Sequence, residues 1–162
     1  MNLTAIVQLL VLLAIANTAP IVGKRLFGAR LAYPIDGGLQ FFDGRPLFGP
    51  SKTIRGLVLA VLVTSAAAPL IGVTWQTGAL IGSLAMVGDL LSSFLKRRLK
   101  LPPSSKATGL DQVPESLFPT LACRGILSLS ILDIVVCVLV FLVGEIILAR
   151  LSYRLRFRDR PY

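Results

Sequence analysis

Residues 84–98 read LAMVGDLLSSFLKRR. On a helix, positions three, four, seven and eight apart share a face, so Asp89 is followed on its own face by Ser92, Ser93, Lys96 and Arg97. A carboxylate, two hydroxyls and two cations in apolar sequence are the parts of a site for phosphates. An ionised group in the hydrocarbon region is costly, so it faces a polar cavity and marks function by default. A structural ion pair to Arg124, itself an odd residue in apolar sequence, is the alternative. The KRRLK run that closes the stretch is by itself an ordinary membrane anchor.

Two further stretches carry matching chemistry. PPSSKATGLDQVPES, at 102–116, brings Lys106, Asp111 and Glu115 back towards the apolar sequence. If this loop folds over a cavity, Asp111 approaches Asp89. Two carboxylates so placed need a compensating cation. Mg²⁺ suits the pair, being held by one or two carboxylates together with substrate phosphates. A helix-capping or turn aspartate remains the alternative. FGPSKTIRG, at 48–56, places Ser51, Lys52, Thr53 and Arg55 where an apolar run begins. Amides at a helix N-terminus, hydroxyls and cations make an anion site. It is no Walker A loop, since the glycine spacing is wrong. A topogenic cluster with a turn is the alternative.

Asp36 in PIDGG and Asp43 in FDGRPLFG are Asp-Gly turns first and site candidates second. The two downstream aspartates of the lipid-head-group phosphotransferase signature do not follow them, which rejects that match. Asn17, with Pro20 in ANTAP, reads as a local helix break or a cavity-facing polar group.

These residues need elements to hold them. Of the 162 residues 54% are hydrophobic and 15% charged, against ~45–50% and ~25% in soluble domains. The excess falls in runs at 3–22, 54–73, 79–95 and 117–149. A span needs ~20 helical residues, so the 33 residues of the last run split into 115–130 and 133–149 about a tight turn. The expectation is one all-α membrane domain over 1–162, with five transmembrane helices around a cytoplasm-facing polar cavity. The opening run has no basic residue before it, so it reads as a retained helix rather than a signal peptide.

The formal net charge is +9. The cations sit at span ends, in 23–53, 96–115 and the tail beyond Arg150. That pattern speaks for topology and anionic phosphates, and against nucleic acid. It places both long loops and the C-terminus in the cytoplasm and the N-terminus outside, in an inner or plasma membrane. Such ends require an odd number of spans. The chain has no histidine, which excludes imidazole bases and ligands. Cys123 and Cys137 lie in apolar sequence and read as small core residues.

GPSKTIRG, GDLLSSFLKRR and LDQ, in that order between spans, resemble the CDP-archaeol synthase family, small relatives of the phosphatidate cytidylyltransferases. The resemblance runs from ANTAP to the last span. It implies transfer of CMP from CTP to a lipid phosphate, forming a CDP-lipid and pyrophosphate with Mg²⁺ in phospholipid biosynthesis. It gives Asp89 and Asp111 the metal-binding role, with Lys96 beside them in catalysis. Lys52, Thr53, Arg55, Lys96, Arg97 and Lys106 match the phosphate-binding set, with Ser51 and Ser93 adjoining. The larger relatives carry a Pro-Gly-His-Gly-Gly stretch where this chain has SSKATGLDQ, so the lipid preference does not carry over: archaeol-type phosphate and phosphatidate both stay open. The partners are CTP, a membrane lipid phosphate and the bilayer; homo-oligomerisation stays open too. The rival readings are a small transporter or channel subunit and a non-catalytic protein that binds anionic lipid.

Overall fold

The computed structural model describes residues 1–102, 105 and 107–154, except the side chains of Ser152 and Arg154. Helix α1 (Leu3–Phe27) starts at Asn2, whose side chain accepts a bond from the Ala5 amide. It runs unbroken through Pro20 to Gly28, so the expected break at ANTAP does not occur. Membrane helices tolerate an internal proline where neighbouring groups satisfy the freed carbonyl. Helix α2 (Ile54–Ala67) is capped by Thr53, which accepts a 3.2 Å bond from the Gly56 amide, and continues as a 3₁₀ turn (Ala68–Ile71). Helix α3 (Trp75–Arg98) is capped by Thr74 and ends in Lys96, Arg97 and Arg98. Helices α4 (Gln112–Ala122) and α5 (Ile131–Arg154) complete the chain.

Four segments are long and apolar enough to cross a membrane: Leu3–Phe27, Ile54–Ile71, Trp75–Arg98 and Ile131–Leu151. The fourth helix is not. Its 11 residues cover about 16 Å, half of a ~30 Å hydrocarbon core. The reason lies in where it starts. A Cβ on Gly88 would collide with the Pro114 carbonyl and the Glu115 amide, so α4 begins hard against α3 at that level. At ~1.5 Å per residue, Gly88 is about 15 Å inside the Arg98 end of α3. The loop before α4 therefore dips into the bundle. Past α4, two turns carry the chain to Leu127, whose carbonyl accepts a bond from the Asn2 side chain at the start of α1.

Ends and directions follow from such contacts. The Gln8 side chain donates to the Ile71 carbonyl, so the α2–α3 connection lies at the N-terminal end of α1. The Asn2 amide donates to Asp133, which puts the start of α5 there too. Asp133, expected to open the last span after a tight turn, sits in the first turn of α5. The first long loop meets the end of α3 at the opposite end, where the Arg45 guanidinium donates to the Arg97 carbonyl.

The core is aliphatic. Leu9, Leu12, Leu13 and Ala16 repeat on one face of α1 and are fully buried with Ala60, Ile81 and Ala85. Cys123 and Cys137 are free and buried among them, as small core residues. Small residues let α2 and α3 touch: a Cβ on Gly78 would strike Ala68 and the Thr64 carbonyl. This close packing fixes the axis on which Asp89 stands.

Candidate active site

The last turns of α3 present Ser92, Ser93, Lys96 and Arg97 inward, all buried. Burying Lys and Arg requires partners. Lys96 Nζ lies 2.7 Å from Asp111 Oδ1 and donates to the Ser105 carbonyl. Arg97 Nη2 donates to the Pro102 carbonyl at 3.0 Å, while its Nε and Nη1 are buried with no hydrogen-bond partner among the described residues. Ser92 Oγ bonds the Gly88 carbonyl within its helix and the Leu110 carbonyl across to the loop, at 2.7 Å. That bond holds the residue before Asp111 against α3. Asp111 Oδ2 accepts from the Ala107 amide, which leaves Oδ1 for Lys96.

Asp89 is met from the other loop. Lys52 Nζ lies 2.5 Å from Asp89 Oδ2, with both side chains about a quarter exposed. Lys52 is held in place by its backbone, because its carbonyl accepts from the Ile35 amide and the next residue, Thr53, caps α2. The cation of Asp89 is thus Lys52 rather than Arg124, which is exposed in the turn after α4.

The other sequence candidates divide. Ser93 is buried on the Asp89 face, and Ser51 is exposed beside Lys52. Thr53 spends its acceptor on the α2 cap. Arg55 turns to the end of α1, where Nη1 donates to the carbonyls of Gly28 and Arg30. Asn17 is half-buried on α1. Lys106 lies outside the described residues. Asp36 organises the first loop, accepting from the Gly38, Phe48 and Gly49 amides. Burial alone would raise its pKa, but the amides of Gly49, Phe48 and Gly38 outweigh burial and hold the carboxyl below its ordinary range. Asp43 pairs with Arg98 Nη1 at 2.9 Å.

The residue that sequence reasoning undervalued is Glu115. It is 4% exposed, and its Oε1 is buried with no partner among the described residues. Its carboxyl feels the charges of Asp89, Glu145, Lys52 and Asp111. A signal was available: Glu115 follows Asp111 by four positions, one helical turn. A hard cation fits this all-oxygen donor set in kind. Among the described residues no three acidic side chains already form a metal cluster. An ion here would therefore draw part of its coordination from phosphate oxygens, as Mg²⁺ commonly does.

Membrane-length helices around a lysine–aspartate site at one end define a multi-pass membrane protein of an all-helical class. A sequence profile of the CarS-like CDP-archaeol synthases matches residues 2–162. The CDP-archaeol synthase of Pyrobaculum calidifontis is 32% identical over 97% of this chain and 98% of its own. That of Sulfurisphaera tokodaii is 37% identical over 80% of this chain and 81% of its own. A solved structure described as "Structural insight into an intramembrane enzyme for archaeal membrane lipids biosynthesis" superposes with a TM-score of 0.73 at 29% identity, covering 86% of this chain and 89% of that one. The chain belongs to the CDP-archaeol synthase family, as its three motifs led one to expect.

Proposed function

We infer that this protein is a cytidylyltransferase that joins CMP from CTP to the phosphate of an archaeol-type lipid, releasing pyrophosphate. The observation that carries the reading is the pair of lysine–aspartate contacts, Lys52–Asp89 and Lys96–Asp111, made on one face of α3 by two different loops. Family membership supports it, and the relatives reported above have archaeol in their names. None of them names phosphatidate, and nothing in the matches speaks for a transporter or a scaffold.

The chemistry asks for little covalent help. An anionic oxygen of the lipid phosphate attacks the α-phosphorus of CTP. The new P–O bond forms as the bond to the β-phosphate oxygen breaks, and pyrophosphate leaves with the electron pair. The nucleophile is already ionised, so a chain without histidine loses nothing. The barrier is the approach of two anions and the charge that collects on the leaving group. Lys52, Lys96 and Arg97 answer both, since each can exchange a protein oxygen for a phosphate oxygen. Lys96 and Arg97 are buried and Lys52 is partly so, and all three are held in place, which keeps the reorganisation cost small. Asp89 and Asp111 would hold Mg²⁺, which when bound supplies charge neutralisation between the phosphates. Ser92 fixes Asp111 by holding Leu110, and Gly88 allows α4 to bring Glu115 to the same place.

The proposed topology is five passes of one domain over 1–162, with α4 a short fourth pass that starts inside the bundle. Both long loops then lie on the cytoplasmic side with the C-terminus, and the N-terminus lies outside. The basic residues of both loops support that sidedness. A lipid phosphate reaches the polar end of the bundle while its tails stay in the bilayer, and CTP arrives from water.

The test is pyrophosphate release by purified protein with CTP and Mg²⁺, with an unsaturated archaeol-type phosphate and phosphatidic acid in parallel. Release with the first in clear excess over the second is expected. Release with neither, from folded protein, would remove the reading, and preference for phosphatidic acid would correct the substrate.

A further inference from the structure

The first loop contains a hairpin that the site does not use. Residues 39–47 pair through Phe41 and Arg45 and through Leu39 and Leu47, with amide-to-carbonyl bonds of 2.8 and 3.0 Å. Phe42 and Asp43 form the tip, closed by Gly44 at φ 71, the left-handed residue that a three-residue hairpin loop requires. The hairpin is docked rather than loose. Arg98 Nη1 meets Asp43 at 2.9 Å, and Nη2 donates to the Pro46 carbonyl at 2.8 Å. The Arg98 guanidinium lies 4.7 Å from the Phe41 ring centre and 4.9 Å from that of Phe94. Phe41 in turn meets Phe94 edge to face at 5.3 Å.

The docking place decides what the tip can touch. On α3, Val87, Leu91, Phe94 and Arg98 follow at steps of four, three and four, so they form one stripe. Val87 and Leu91 are exposed, whereas Asp89, Ser93 and Lys96 lie on the far side of the helix, in or beside the bundle interior. An exposed apolar stripe on a membrane-length helix faces lipid. The aromatic row Phe94, Phe41, Phe42 extends that stripe outward, with Phe41 and Phe42 ring centres 5.1 Å apart. Phe42 at its end is 100% exposed, and Leu39 at the base of the hairpin is exposed too. The same end carries the exposed Leu26 of α1 and Leu99 after α3, among the cations of two span ends.

We propose that the 39–47 hairpin is an interfacial anchor whose tip, Phe42, enters the boundary between lipid headgroups and acyl chains. The occupant of this apolar face is the bilayer itself, because the face continues the lipid-facing side of α3. The neighbouring arginines match lipid phosphates, and aromatic side chains favour that depth. The anchor holds the first loop, and with it Lys52, at a fixed height over the membrane.

The experiment places Phe42→Trp in a Trp75→Phe background, so that the reporter is the sole tryptophan, since the chain has one of its own. The protein is reconstituted into phosphatidylcholine vesicles with plain acyl chains or chains brominated near the headgroup. Expected are emission at shorter wavelength than in denaturant and clear quenching of it by bromine, since an interfacial aromatic residue sits at headgroup level. Long-wavelength, unquenched emission would put the tip in water and overturn the proposal. Short-wavelength, unquenched emission would also overturn it, by placing the tip against another copy of the chain. If the Trp75 change disturbs folding, a nitroxide on Phe42→Cys decides instead. Oxygen accessibility above that of a water-soluble nickel chelate supports the anchor, and the reverse opposes it; Cys123 and Cys137 are buried.

Discussion

Asp133 and Asp89 are both aspartates of long apolar helices, and they are satisfied in opposite ways. Asp133 is 2% exposed and takes everything from nearby N–H and O–H groups: the Asn2 amide at 3.1 Å, and the Ser130 amide and hydroxyl at 2.9 and 2.8 Å. It ties the start of α5 to the start of α1. Asp89 takes a lysine from a loop 37 positions away, and Asp111 takes one from the neighbouring helix end. A carboxylate saturated by backbone has no partner to give up without opening the fold. A carboxylate opposed by a lysine can trade that lysine for a metal ion while the lysine takes a phosphate. On the proposed reading, burial alone does not mark the working aspartates. The kind of partner does.

The largest expected effect comes from breaking the exchangeable kind. Asp89→Asn is expected to insert and fold but to lose ~10²–10³-fold in kcat, the scale seen when a preorganised electrostatic group is removed; pyrophosphate release in detergent measures it. Lys52→Ala is expected to cost about 10–100-fold in kcat/KM for CTP, in line with 1.4–2.7 kcal/mol of transition-state contact. Initial rates over a CTP series check this, and an unchanged kcat/KM would take Lys52 out of the site.

The structural kind is expected to behave otherwise. Asp133→Ala leaves the Asn2 and Ser130 donors unmatched and is expected to cost about 1–3 kcal/mol of stability, while activity per folded molecule stays near wild type. Thermal unfolding in detergent measures the first and a normalised rate the second. Gly88→Ala forces α4 away from α3, with an expected loss of about 1–3 kcal/mol and a rate loss as Glu115 and Asp111 shift.

The smallest effect concerns pH. Asp36 is held below its ordinary range in the fold, so it contributes stability above the unfolded aspartate value of about 3.9. That contribution is lost as pH falls through the lower folded value. Asp36→Asn should therefore make the first loop somewhat easier to proteolyse at pH 7 and flatten the acid side of its profile, with the difference from wild type vanishing at low pH.

The shared polar face of α3 was more legible in the sequence than the path of the chain. Asp89, Ser93, Lys96 and Arg97 followed from helical spacing, because α3 is regular and its polar positions are few. Which lysine meets which aspartate did not follow, since Lys52 and Asp111 reach the site through loops whose course is set by Ser92, Asp36 and the Thr53 cap. The fourth helix was misjudged in length, because hydropathy reports apolar sequence and not the depth at which a helix starts. Gly88 set that depth, and a glycine in an apolar run reads as filler until its neighbour is known. Asp36 and Asp43 read as turn residues, and both support the first loop.

The most direct measurement sets Asp89→Asn and Asp133→Asn side by side, scoring CDP-lipid formed from CTP and an archaeol-type phosphate per folded molecule. The account predicts near wild-type product from Asp133→Asn and almost none from Asp89→Asn. Equal losses, or activity retained by Asp89→Asn, would contradict it.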